Sequence, residues 1–361
     1  MLQQKKQLQK IAVLASGGVD STVALYLLKE QGYDVTAFYL KVWMEDDTGW
    51  GECPWQKDLD YVHQIGKLID VPVEVVSMQK EYWDRVVDYT ISTVHKGLTP
   101  NPDMMCNRLV KFGAFHEKYG HHFDKIATGH WAMLTEINSR AHLYLGADRF
   151  KDQTYFLSQM THEQLEHAMF PLGDYTKPQI RDIAREQSFP NAGRKDSQGI
   201  CFLGKINYRD FIKKYLGEKP GPIINSETGD VLGEHKGFWF HTIGQRQGLR
   251  LSNGPWFVID KDHNKNIIYV ARGYDPLAVY QTSIPLAQFN WINRPADFTQ
   301  GAFDIQFKIR HTPELTDGQL LIENDSLTIM SNEPVHGVAA GQFGVIYRQN
   351  ECLGGGTIVL D

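Results

Sequence analysis

No stretch of this 361-residue sequence holds the roughly 18 consecutive apolar residues that a membrane-spanning helix requires. Cys-x-x-Cys pairs are also missing. The four cysteines, Cys53, Cys106, Cys201 and Cys352, lie far apart, which excludes a zinc ribbon and a thioredoxin-type redox motif. So few thiols in so long a chain make no disulfide scaffold. Positive charge is not in excess either: 37 Lys and Arg against 43 Asp and Glu give a net charge of −6. Residues 1–209 carry 24 basic and 26 acidic side chains, and residues 210–361 carry 13 and 17. Neither part is a basic domain, so a polyanion must bind to local patches. The opening MLQQKKQLQK lacks the apolar core of a secretory signal and the Arg and Ser of a transit peptide. The expected location is the cytoplasm, away from membranes. Neither G-x-x-x-x-G-K-S/T nor G-x-G-x-x-G occurs, so two common phosphate-binding fingerprints are excluded.

What is present is an ordinary globular balance, 42% hydrophobic and 22% charged, in a chain long enough for two or three domains at roughly 150 residues each. The first half alternates strand and helix patterns. Strands are expected over 11–16, 34–43, 71–78 and 123–134, with helices over 22–31, 56–69, 81–96 and 108–119. That alternation predicts a doubly wound parallel sheet, an α/β domain spanning 1–208. After a short helix at 207–216, turn signals crowd in (KPGP, ETGD, HKG, SNGP, DHNKN) and define a small central domain, 209–275. Short alternating runs such as AFDIQFKIR then predict an antiparallel β-barrel or sandwich over 276–361.

Three motifs carry chemistry. Ser16-Gly17-Gly18-Val19-Asp20-Ser21 ends the first strand and opens a helix, the place where open α/β sheets bind ligands. Its glycines let the backbone turn and present N–H groups to an anion, aided by the helix N-terminus. Ser16 and Ser21 add hydroxyl donors, and Asp20 is a candidate Mg²⁺ ligand. In Asn101-Pro102-Asp103-Met104-Met105-Cys106-Asn107 the prolines indicate a rigid loop before the helix at 108, with a carboxylate three residues ahead of a thiol. Taken alone, Cys106 reads equally as a small core hydrophobe. In Lys195-Asp196-Ser197-Gln198-Gly199-Ile200-Cys201-Phe202, a Lys and polar neighbours are placed to lower a thiol pKa.

The SGGVDS turn resembles the PP-loop of the ATP-pyrophosphatase superfamily, with its adenine nucleotide α-hydrolase-like fold. Together, SGGVDS, NPDxxCN and KDSxGICF resemble the tRNA-specific 2-thiouridylases of bacteria and organelles. Further stretches extend the likeness over essentially the whole chain: Phe38–Lys41 followed by Glu45-Asp46-Asp47, Ala127–His130, Lys151–Leu157, His241–Arg246 and Cys352–Gly356.

The resemblance implies that ATP activates the C2 oxygen of a wobble uridine as its adenylate, and that sulfur then replaces that oxygen. Leu14, Ala15 and residues 16–21, with Leu40 and Gly129, match ATP-binding positions. Cys201 matches the persulfide carrier, Cys106 the second catalytic cysteine and Asp103 the acid/base. Asn101, Pro102 and Asp103 would hold the flipped-out base. His130, Lys151, Asp152, Gln153, Arg310, His311 and Gln342 match tRNA-contacting positions. Lys308 is expected to join Arg310 in a phosphate patch, and Arg194-Lys195 to lie near the anticodon. The implied needs are ATP, Mg²⁺, a sulfur-donor protein (a carrier or a cysteine desulfurase) and a reductant. The implied partner is the anticodon stem-loop of the tRNAs for Lys, Glu and Gln, met by a monomer. Cys53 and Cys352 read as non-catalytic. An amide-forming or lysidine-forming PP-loop ligase, an iron–sulfur thiolase and a non-catalytic RNA-binding module are the alternatives.

Overall fold

In the first strand, β1 (Lys10–Leu14), Ile11 and Val13 are buried among one set of residues and Ala12 and Leu14 among another. A strand covered on both faces belongs to a parallel sheet sandwiched by helices. The computed structural model, which describes residues 8–42, 55–196, 208–273 and 280–360, shows that sheet. With β2 (Asp34–Lys41), β3 (Val73–Ser77), β4 (Lys125–Thr128) and β7 (Ala168–Met169), the order is β3-β2-β1-β4-β7, every neighbouring pair parallel. Ile11 and Val13 pack with Leu25 and Leu28 of α1 (Val19–Glu30) and Val62 and Ile65 of α2 (Trp55–Leu68). Ala12 and Leu14 pack with Phe38, Met78, Met104 and Phe115 on the opposite face. The strand order reverses between β1 and β4, which opens a crevice at their C-terminal ends.

Two sequence expectations need correction. The stretch 123–134 is not one strand. β4 stops at Thr128, and after Gly129–Trp131 the chain enters β5 (Ala132–Ile137), which pairs with β6 (Arg140–Leu145) in a hairpin. That hairpin leaves the parallel sheet and joins the C-terminal one, where Tyr144 pairs with Glu351. The NPD segment is also not a loop ahead of a helix at 108. The helix starts at Pro102 and runs through Cys106, a π-wound stretch Asn107–Ala114, and Phe115–Lys118. Asn101 caps it, its Oδ1 accepting from the Met104 N–H at 3.2 Å. A proline in the first helical turn starts a helix rather than breaking one.

The central region opens with the helix Tyr208–Leu216 and builds a four-stranded sheet from β8 (Gly221–Asn225), β9 (Val231–His235), β10 (Trp256–Asp262) and β11 (Ile267–Arg272), in the order β10-β11-β8-β9. In the last region, β12 (Tyr280–Trp291), β13 (Gly301–Lys308), β14 (Thr316–Glu323), β15 (Ser326–His336), β16 (Phe343–Arg348) and β17 (Glu351–Ile358) run antiparallel. Pairing of β12 with β17 closes them into a six-stranded barrel. Phe307, Leu320, Ile329 and Ile346 fill its core. No described helix is long and apolar enough to cross a membrane.

Candidate active site

The SGGVDS turn lies where β1 meets α1. Gly17 adopts φ +74°, and a side chain there would press within 2.4 Å of the Asp58 carbonyl oxygen. The turn is tied by its own hydroxyls. Ser21 Oγ accepts from the Ser16 N–H at 3.2 Å and donates to the Gly18 carbonyl at 3.1 Å, and Thr22 Oγ1 donates to the same carbonyl at 3.0 Å. From below, Asn191 Nδ2 donates to the Gly17 carbonyl at 3.0 Å and Arg194 Nη1 to the same oxygen at 3.2 Å. Gly129, at the end of β4, closes the opposite side: a Cβ there would lie 2.7 Å from the Ser21 nitrogen. Leu14, Ala15, Val19 and Leu40 are buried, so a ligand in the crevice meets backbone rather than these side chains. The result is a glycine-lined cradle at a helix N-terminus, suited to a polyanion.

A charged cluster flanks the cradle. Asp20 accepts from Lys177 Nζ at 2.5 Å and from Trp131 Nε1 at 3.1 Å. Asp196 takes Lys177 at 2.8 Å, and Lys151 and Arg181 at 2.6 Å each. Burial alone would raise the Asp196 pKa, but its bonds to Lys151 and Lys177, with their charges, outweigh it and hold the carboxyl well below its ordinary value. Three cations against two carboxylates leave a positive surplus beside the turn. Trp131, Lys177 and Asn191 carry no sequence motif and escaped the sequence reading. Arg194, expected near the anticodon, braces the cradle at the Gly17 carbonyl and pairs with Asp58 at 2.6 Å.

The NPD segment borders a different space, a cavity of about 320 Å³ to which all three regions contribute. Asn101, Pro102, Asp103 and Phe156 come from the first, Trp239, His241 and Lys261 from the central one, and Gln342 from the barrel. Gln342 braces the segment: its Nε2 donates to the Pro100 carbonyl at 3.1 Å, and its Oε1 accepts from Tyr155 Oη at 3.4 Å. Asp103 and Cys106 sit one helical turn apart, and Cys106 is wholly buried. Asn107 reaches across to the Phe156 carbonyl at 3.0 Å.

The segment 151–156 runs between cradle and cavity. Gln153 accepts from the Trp131 N–H at 3.1 Å, and its own N–H donates to the Trp131 carbonyl at 2.8 Å. Asp152 is buried rather than presented to solvent. Its carboxylate accepts from the Gly146 N–H at 3.0 Å and Thr154 Oγ1 at 2.7 Å, and faces Lys308 Nζ at 3.4 Å. Lys308 is therefore no phosphate contact, since both side chains of the pair are only 1% exposed. Arg310 and His311 stay exposed. His311 Nε2 lies 2.7 Å from the Asp152 carbonyl, and its ring packs against Phe156 at 5.0 Å. His130 Nδ1 lies 2.7 Å from Thr128 Oγ1, and burial, helped by the Lys111 charge, pushes its pKa well below the usual value. Cys352, on β17, is buried with its thiol facing the Thr154 carbonyl of the first region at 4.0 Å, and burial raises its pKa. Cys53, Cys201 and the acidic run Glu45–Asp47 lie outside the described residues.

Three family models match consecutive stretches: a tRNA methyl transferase HUP domain over 9–205, a tRNA methyl transferase PRC-barrel domain over 209–272, and an aminomethyltransferase beta-barrel domain over 281–358. Over its full length the chain is similar to the tRNA-specific 2-thiouridylase MnmA of Parabacteroides distasonis, 53% identical over 353 residues, covering 97% of this chain and 99% of that one. The protein of the same name from Porphyromonas gingivalis is 49% identical, covering 96% and 98%. Among solved structures, the U34-tRNA thiolase NcsA from Methanococcus maripaludis gives a TM-score of 0.35 at 16% identity, covering 57% of this chain and 63% of that one, a slight likeness.

Proposed function

The chain belongs to the tRNA-specific 2-thiouridylases, an enzyme family of tRNA-uridine sulfurtransferases, and on that premise we propose that it replaces the C2 oxygen of a wobble uridine with sulfur at the expense of ATP. The observation that carries the reading is the placing of Asp103 at a base-sized cavity, one helical turn from Cys106. The glycine cradle is a fitting support, since a Cβ at Gly129 would intrude on the Ser21 nitrogen.

In this reading ATP is a substrate whose phosphates lie on Ser16–Ser21, beside Lys177. Asp20 fits Mg²⁺, an ion content with one or two carboxylates when phosphates and water complete its shell; it would screen the phosphate charge. The uracil C2 oxygen attacks the α-phosphorus, the N3 proton passes to Asp103, and pyrophosphate leaves. The terminal sulfur of a Cys201 persulfide, loaded by a sulfur-donor protein, then bonds to C2 while AMP departs with the oxygen. The Cys106 thiolate attacks the Cys201 sulfur, which frees the 2-thiouridine as Asp103 returns the N3 proton, and leaves a Cys106–Cys201 disulfide for a two-electron reductant. A thiolate is intrinsically a strong nucleophile and needs little activation. The RNA is an anticodon stem-loop of the tRNAs for Lys, Glu and Gln, with its wobble base unstacked. Arg310, His311, Lys151 and His130 border its path. Asp152, Gln153 and Gln342 act from beneath the surface as positioning residues.

The test is turnover with ATP, a persulfide-loaded donor and the stem-loop. Pyrophosphate and AMP are expected only when the wobble uridine is present, together with one oxygen-to-sulfur exchange in that nucleoside by mass spectrometry. Thiolation that survives both Cys106→Ala and Cys201→Ala would overturn the mechanism.

A further inference from the structure

The cavity wall built by the central region has a feature that thiolation chemistry leaves unused. Of the side chains bordering the cavity, Asp103 and Lys261 are the charged ones, His241 being held neutral by burial with its pKa down at about 4. Lys261 extends from β10, and its ammonium donates to the His241 carbonyl at 3.2 Å. Among the described residues it makes no ion pair, and burial pushes its pKa down to about 8, with only the neighbouring Asp260 opposing the shift. Tyr208, on the same lining, is a neutral phenol, its pKa raised by desolvation. Beside Lys261, Trp239 Nε1 and His241 Nδ1 are buried with no hydrogen-bond partner. Buried polar groups are nearly always satisfied, so two orphans and an uncompensated cation on one wall call for a ligand. Uracil is neutral and offers no anion to Lys261. A nucleotide that enters brings phosphodiester charge with it.

We propose that Lys261, with Trp239 and His241, forms an anion site that holds a phosphodiester flanking the flipped-out uridine, so that the central region clamps the backbone while Asp103 meets the base. The proposal rests on the thiolation reading for the identity of the RNA, but its test is a binding measurement independent of turnover. The probes are stem-loops with plain uridine at the wobble position, carrying either native linkages or neutral methylphosphonates on both sides of that nucleotide. With native linkages, Lys261→Met should weaken binding roughly tenfold or more, the loss expected for one charge-assisted contact. It should also lower the log–log salt slope by about 0.7, one phosphate's share for single-stranded RNA. Neutral linkages should weaken wild-type binding by a similar factor and abolish the difference between wild type and Lys261→Met. Lys261→Arg should bind native RNA nearly as wild type. The melting temperature of Lys261→Met should match or exceed that of wild type, because Lys261 is a half-buried cation without an ion pair and methionine keeps its apolar stem. A Lys261→Met penalty that persists undiminished with neutral linkages overturns the proposal; so does the absence of any penalty. If this coupling is found in a protein that does not thiolate, the thiolation reading falls and the anion site stands.

Discussion

Three glycines around the cradle form a graded steric series that tests whether its backbone shape is what binds nucleotide. A methyl group at Gly18 would meet only the Ser16 hydroxyl, at 3.5 Å, an ordinary contact. At Gly129 it would lie 2.7 Å from the Ser21 nitrogen and 2.9 Å from the Asp20 carbonyl carbon, backbone atoms that cannot rotate aside. At Gly17 it would sit 2.4 Å from the Asp58 carbonyl oxygen, on a residue whose φ of +74° already disfavours a side chain. Over-packing costs about 1–3 kcal/mol, and left-handed backbone adds about 1–2 kcal/mol for a non-glycine residue. Gly18→Ala should stay within about 1 kcal/mol of wild type, because the poorer cap is offset by a less flexible unfolded chain. Gly129→Ala should lose about 1–3 kcal/mol and Gly17→Ala about 2–5 kcal/mol. At roughly 2–4 °C per kcal/mol for a domain of this size, Gly17→Ala should melt roughly 4–20 °C lower. The Gly129 clash falls on the first turn of α1, so ATP affinity should drop at least about tenfold there, or about 1.4 kcal/mol. Calorimetric melting and titration with a non-hydrolysable ATP analogue read both effects. If Gly129→Ala melts with Gly18→Ala and binds the analogue like wild type, the close approach of β4 to the turn has no part in nucleotide binding.

Gln342→Ala removes the bond that braces the Pro100 carbonyl. It should lower kcat roughly 2–10-fold by displacing Asp103 while leaving ATP affinity intact, as steady-state kinetics would show. Lys308→Met leaves the buried Asp152 carboxylate without its cation. A loss of about 3–5 kcal/mol is expected in urea unfolding, recovered in part by adding Asp152→Asn. The Asp196 pKa is lowered in the folded chain, so its stabilisation is full above the ordinary carboxylate range, begins to fade as pH enters that range, and is lost only as pH falls on through the lowered folded value. The melting gap between wild type and Asp196→Asn should accordingly be widest near neutral pH and close in acid. Cys352→Ala should retain thiolation and cost about 1 kcal/mol, since its thiol is buried with a raised pKa.

The parts legible in the sequence are those where function and local structure share neighbours. SGGVDS follows a strand buried on both faces and opens a helix, so both its placing and its anion-binding logic come from adjacent residues. Long-range pairing is what the sequence hides. The start of β5 looks like a continuation of β4 because Ala132, Met133 and Leu134 are apolar; only the pairing of β5 with β6, and of β6 with β17, assigns it to the C-terminal sheet. Lys308 looks like a surface cation because β13 alternates. At its end, however, Phe307 and Lys308 are both buried. One side chain fills the barrel core while the other faces Asp152 of the first region, and a period of two describes only a strand with one covered face. Pro102 reads as a breaker from composition and acts as a helix opener by position, which moves Asp103 and Cys106 from a loop onto one helical surface. The same reasoning explains why Lys261 carried no signal. Its neighbours in sequence are an ordinary hairpin, and its chemistry exists only because the central region folds against the NPD helix. A residue of that kind is found from an unsatisfied charge in a shared cavity, and the methylphosphonate comparison asks whether that charge has the partner the cavity implies.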